Sequence, residues 1–475
     1  MPINSTARTI PRAIPRAIPQ PISPPGPFSA VHLRRQSTSS QGQPPLAVLP
    51  TGALLRSLLT NCVASKPWLQ RPVLAVLARL AAIDSGNWFS VDRNPLLHAV
   101  LKTTFYRQFC AGETPSETRE TLRALKAMGF GGSILTYARE TVFDHRTGAQ
   151  RAFTDGNRVD DDEHIAVWRR GTLDTVDLLG PNDLLALKLT GAGPGVTGAF
   201  AAGENPPAAM WAAVEAICDR CEERNVRILV DAESQHYQAG IQKMTLELMR
   251  KYNRNRPALV YNTYQAYLKA TPATLATHLV AAAQDGFTLG LKLVRGAYLA
   301  TDPRALIHDT KADTDAAYNA IAQGALRRHL GDFGGDNALK PFPAVDLFLA
   351  GHNRVSVMTA YELHRSRRLA GLPTVRLGFA QLHGMSDELS FDLLQRTRGN
   401  FNEKPGLDFQ EPDVYKCSNW GTVGECLAYL TRRAIENRDA ITRTHDEYSA
   451  LKAEARRRIL AGWQPSPRRG KVWDI

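Results

Sequence analysis

The chain has 475 residues, 43% of them hydrophobic and 22% charged, with a formal net charge of +12. That length holds one large domain or two to three ordinary ones, and the composition is globular. No uncharged apolar run reaches the roughly 18 residues of a membrane span, and the basic excess comes without any zinc-finger, RNA-recognition or helix-turn-helix signature, so no nucleic-acid partner is expected.

The first 45 residues hold five Arg and no acid, and the first acidic side chain of the chain is Asp84. Arg-rich, Ser-containing and acid-free is the composition of a mitochondrial transit peptide, removed near Arg34–Ser40. Its many prolines weaken the usual amphipathic helix, and a disordered Pro-rich tail is the alternative. Residues 50–130 read mainly as helix. "TPSETRETLRAL" supplies a cap with acids in the first turn, and Gly129, Gly131 and Gly132 end that helix.

From residue 131 the pattern becomes short apolar strands between helical stretches. The strands are 133–138, 184–190, 226–233, 258–265, 289–298, 345–351, 374–382 and 413–419. Alternation implies parallel pairing with crossovers, and eight such units up to about residue 445 predict an α/β fold of the (β/α)8 barrel type preceded by a helical region. An open doubly wound sheet is the alternative, but no GxGxxG follows the first strand. Residues 139–175 are long and polar and read as an insertion or mobile loop. Residues 446–475 read as a C-terminal helix and basic tail. Six cysteines do not make a disulfide scaffold, and Cys218 and Cys221, a lone CxxC in a predicted helix, read as small helix residues in a reduced compartment.

In such a barrel the active site lies at the C-terminal strand ends. Polar residues collect there: Lys188 on strand two, Asp231 and Glu233 on three, Gln265 on four, Lys292 and Arg295 on five, His352 and Asn353 after six, Gln381 and His383 at seven. A lysine inside "LLALKLT" is costly to bury unless paired or functional. Together they describe a positively biased pocket for an anionic ligand. The helix "GECLAYLTRRAIENRD" would follow strand eight and hang over the same mouth. Arg432 and Arg433 stand about 100° apart on it, so at least one leans toward the apolar side. Both could reach one small carboxylate with planar donor forks, with Glu436 bracing Arg432.

"LALKLT", "LVDAES", "NTYQAYL", "KLVRGAYL", "GHN", "FAQLHGM" and "YLTRRAIEN", after "FYRQFCAGE", stand in the order found in proline dehydrogenases. The chain resembles that family over about residues 98–440. The resemblance implies a distorted (β/α)8 flavoprotein of mitochondria that holds FAD non-covalently. It implies oxidation of L-proline to Δ1-pyrroline-5-carboxylate by hydride transfer to flavin N5. Electrons then pass to a quinone acceptor at the matrix side of the inner membrane, with a possible peripheral membrane contact. By position, Lys188, Arg432 and Arg433 would hold the substrate carboxylate, Asp231 would sit at the substrate site, and Leu382 would pack on the ring. Gln265, Lys292, Arg295, Gly296, Thr310 and His352 would contact FAD, as would Glu436. A flavoenzyme for another cyclic amino acid and a non-enzymatic ligand-binding relative are the alternatives.

Three departures stand out. "KLVRG" exchanges the usual basic pair, keeping charge but not fork geometry. Cys417 occupies a position usually held by a substrate-packing tyrosine; Tyr415, on the same strand face, is the expected substitute. Thr136 stands where relatives often have Asp. The last two bear on substrate identity and would open the pocket to hydroxyproline.

Overall fold

The chain divides into Met1–Gln43 and Pro44–Ile475. The structure, a computed structural model, describes residues 43–81, 91–137, 142–144, 149–151, 160–335, 340–399, 411–439 and 441–462. The transit-like leader and the basic tail beyond residue 462 lie outside them.

Eight strands form one closed, wholly parallel barrel: β1 (Gly132–Tyr137), β2 (Leu184–Leu187), β3 (Arg227–Val230), β4 (Val260–Gln265), β5 (Leu289–Val294), β6 (Val345–Ala350), β7 (Arg376–Leu382) and β8 (Asp413–Trp420). Each expected strand is present, and β8 closes on β1 with Cys417 opposite Ile134. Strand alternation sends one set of side chains inward. Ile134, Leu184, Ala186, Leu229, Tyr261, Phe348, Ala380 and Tyr415 fill the barrel interior. The other faces pack on the surrounding helices. Cys218 and Cys221 are both fully buried in that outer layer, on the helix Ala208–Glu223, as small core residues.

The region before the barrel is helical, with helices Thr51–Ala64, Pro67–Ala81, Pro95–Leu101 and Pro115–Met128. The last of these starts as the sequence requires: Thr114 accepts from the Glu117 amide, Pro115 fills the first turn, and Gly129 ends it at φ +107°. The expectation of a loop over 139–175 is corrected. After a short hairpin (Val142–Asp144 with Ala149–Arg151) the chain forms the helix Asp161–Leu178. Ile165, Trp168, Thr172 and Val176 recur at helical spacing and are buried, so packing holds a charged segment in helix. After β8 come the capping helix (Val423–Asp439) and the terminal helix (Ile441–Leu460).

Candidate active site

The substrate-side candidates begin one residue past two neighbouring strands. Leu187 and Val230 are register partners, so the next residues, Lys188 and Asp231, emerge side by side at the barrel mouth. The Asp231 amide donates to Leu187 O and fixes that step. Lys188 Nζ lies 3.2 Å from Asp231 Oδ2, while Lys292, on the inner face of β5, puts its Nζ 2.5 Å from Oδ1. One carboxylate thus holds two ammonium groups. Burial penalises its charge, but Lys292 and Lys188 outweigh that and keep the Asp231 carboxyl below its usual range.

Cys417 lies opposite Leu382, pairing two expected ring-contact residues on adjacent strands. The Cys417 thiol is pushed up to about 11 by burial and by Asp231, against the opposing pull of Lys292, Arg433 and Lys188. All four charges act on this thiol, which stays protonated at neutral pH. The cations outnumber the carboxylate.

Arg433 reaches this cluster because the capping helix is held at its start. Thr422 and Glu425 form reciprocal amide contacts, Glu113 accepts from the Val423 amide, and Asp92 accepts from Gly424. Three carboxylates thus face the positive end of the helix dipole. Of the paired arginines, Arg433 is the one that leans inward. It is 6% exposed, with its guanidinium 4.9 Å from the Tyr429 ring centroid. Arg432 is half-buried. Leu382 packs against the cluster that contains Tyr429 and Leu430. The side chain of Glu436 lies outside the described residues.

The expected cofactor residues occupy β4 to β6. Gln265 is the third inward position of β4, after Tyr261 and Thr263. Its Oε1 accepts from the Ala297 amide at 3.3 Å, and its buried Nε2 has no hydrogen-bond partner among the described residues. Gly296 precedes that amide at φ +148°, and a Cβ there would lie 2.3 Å from the Tyr267 ring, so only glycine fits. Arg295 is fixed by Asp315 (2.7 Å), Ser356 (2.8 Å) and the Tyr318 ring (4.3 Å). His352 Nδ1 lies 3.0 Å from Ser386 Oγ. Thr310 caps the helix Lys311–Arg327 in a box with Asp313.

Some polar strand ends are structural. Glu233 is buried and accepts from both the amide and the hydroxyl of Thr190. Gln381 bridges Gly351 O and Ser390. The role expected of Tyr415 is corrected. It does share the inner face with Cys417, but its hydroxyl contacts Arg227 and Asp413, the first residues of β3 and β8. It points to the floor of the barrel and cannot replace a tyrosine at the mouth. Lys416 escaped notice in the sequence. Buried on the outer face of β8, it donates to Met385 O (2.9 Å) and Asp387 (2.7 Å) and so fixes the turn after Leu382. A lysine inside an apolar strand was the available signal.

A family profile described as proline dehydrogenase matches residues 118–446. The chain is 28% identical to a probable mitochondrial proline dehydrogenase of Schizosaccharomyces pombe, over 86% of this chain and 88% of that one. It is also 28% identical to a hydroxyproline dehydrogenase of Bos taurus, over 88% and 92%. Animal relatives named proline dehydrogenase are spanned over only 33–39% of their length. In fold, the chain resembles proline utilization A of Bdellovibrio bacteriovorus inactivated by N-propargylglycine, with a TM-score of 0.56 at 15% identity, covering 88% of this chain and 43% of that one. With eight parallel strands, a cationic mouth and a profile match over most of its length, this chain belongs to the proline dehydrogenase family.

Proposed function

We propose that the protein oxidises L-proline to Δ1-pyrroline-5-carboxylate with non-covalently bound FAD, in the mitochondrion on the matrix side of the inner membrane, and passes the electrons to a quinone. The observation that carries this reading is the Lys188–Asp231–Lys292 cluster at the barrel mouth, with the inward Arg433 of the capping helix buried nearby. A pocket with more cations than carboxylates, walled by Leu382 and the Cys417 thiol, suits a small carboxylate with an apolar ring. Localisation follows from the mitochondrial names of relatives and from the acid-free leader.

The residues beside the mouth fit a flavin. Gln265 offers a buried amide donor with no partner among the described residues, next to a glycine that lets the chain pass close by. Gln265, Lys292, Arg295, Gly296, Thr310 and His352 would hold the cofactor, with Glu436 a further candidate. FAD supplies the hydride acceptor when bound.

The chain's own residues then do three things. Lys188, Arg433 and Arg432 bind the substrate carboxylate and fix which ring carbon faces the cofactor. Asp231 keeps the two lysines in register without neutralising the pocket. Leu382 and Cys417 cover the ring and exclude water. A dye-linked assay of the yellow holoprotein tests the reading: turnover with L-proline is expected, and a protein that takes up no FAD would overturn it.

A second reading, hydroxyproline oxidation, draws on Cys417. A thiol is far smaller than the tyrosine usual there and leaves room for a ring hydroxyl. The ratio of kcat/KM for the two substrates decides between the readings.

A further inference from the structure

The helix Thr51–Ala64 carries apolar side chains on both faces. Leu54, with Ala53 and Leu58 packed on the core, shares the inward side with three buried polar residues, Ser57, Thr60 and Asn61, whereas Leu55 and Leu59 are 52% and 50% exposed. The polar stripe is not accidental, because its groups are satisfied inside. Gln108 donates to the Ser57 hydroxyl at 2.9 Å, and Asn61 and Thr60 donate to carbonyls of their own helix. The next helix, Pro67–Ala81, packs against the first. It buries Leu77, with Val73 and Leu80 packed beside it, together with Gln70, and still turns out Trp68 at 70% and Val76 at 52%. The following helix exposes Leu96 and Val100 at 76% and 51%. A water-facing helix normally does the reverse.

Charge says what covers this face. Between Pro44 and Ala81 the chain carries Arg56, Lys66, Arg71 and Arg79 and no acidic residue. Lys66, Arg71 and Arg79 are exposed beside the apolar side chains. An apolar stripe whose own two helices carry only cations, with an outward tryptophan, matches an anionic lipid surface rather than a charge-balanced protein partner. At 14 and 15 residues the two helices are about 21–23 Å long, too short to span a bilayer, and no described helix is long and apolar enough to cross one.

We propose that the outward faces of the helices Thr51–Ala64 and Pro67–Ala81 are an interfacial docking surface for an anionic phospholipid bilayer. Leu55, Leu59, Trp68 and Val76 enter the headgroup boundary, and Lys66, Arg71 and Arg79 meet lipid phosphates. The second helix packs against the capping helix that carries Arg433, with Leu77 in one cluster with Tyr429 and Leu430. Docking therefore sets the candidate site beside the bilayer. The inference rests on the inner-membrane placement proposed above and assigns the face that makes the contact; it does not depend on the proposed chemistry.

The test is flotation of the full holoprotein with vesicles of phosphatidylcholine alone and of phosphatidylcholine mixed equally with phosphatidylglycerol. The wild type should float with the mixed vesicles and lose that binding in high salt. The triple variant Leu55→Gln, Leu59→Gln, Trp68→Ser should bind at least roughly tenfold more weakly, with unchanged thermal unfolding and unchanged flavin content. The leader is common to both proteins, so a triple variant that binds as the wild type does would overturn the proposal. A lipid-free oligomer that the same substitutions dissociate, without vesicle binding by the wild type, would also overturn it and assign the face to a protein interface.

Discussion

Lys292 reaches from β5 past β4 to place its ammonium 2.5 Å from the Asp231 carboxylate, which also holds Lys188. A single acid therefore keeps two cations at the barrel mouth. Asp231→Asn removes the only acid in that trio and leaves two nearly buried ammonium groups facing each other. We expect a loss of about 3 kcal/mol at neutral pH, as when one partner of a buried pair is removed. The carboxyl is held below its unfolded value, so its contribution is present above that value and fades as pH falls through the folded one. The stability gap between wild type and variant, measured by urea unfolding, should accordingly shrink below about pH 4.

Gln265→Leu should weaken flavin retention. It removes the buried Nε2 donor that finds no partner among the described residues, along with the contact to Ala297. A hydrogen bond of this kind changes affinity by roughly tenfold. The apo fraction after desalting, read from the visible flavin band, checks this, and full retention would remove Gln265 from the cofactor contacts.

Tyr415→Phe separates barrel stability from substrate binding. Its hydroxyl contacts Arg227 and Asp413 at the floor. The change should cost about 1–3 kcal/mol, because two polar groups lose a buried partner. The KM for proline should stay as it is. A raised KM would return Tyr415 to the site.

Cys417→Tyr narrows the mouth beside Leu382. The kcat/KM ratio of hydroxyproline to proline should fall by roughly tenfold or more, the scale set by steric exclusion from a pocket.

Much of this was legible in the sequence, for identifiable reasons. Each strand is a short apolar run, and the lysines within them announced themselves by their cost. The side-by-side arginines required one to turn inward, and Arg433 does. The helix Asp161–Leu178 was hidden because Thr and Asp interrupt its apolar stripe, leaving packing of Trp168 and Ile165 to decide. Tyr415 lies deeper in the barrel than the strand pattern suggests, because alternation gives the face but not the depth. Two residues along a strand move a side chain about 6–7 Å toward the floor. The pairing of Lys292 with Asp231 spans 61 residues of sequence and emerges only from barrel closure.

The central claim is that Arg433 and the lysines held by Asp231 fix a small carboxylate beside a flavin. Anaerobic titration of the holoprotein with L-proline tests it most directly when run on wild type and Arg433→Met together. The account predicts bleaching of the visible flavin band in both, with the half-saturating proline concentration raised at least roughly thirtyfold in the variant, as for loss of a buried charged contact of about 2 kcal/mol or more. No bleaching by proline in the wild type, or the same half-saturation in both proteins, would contradict it.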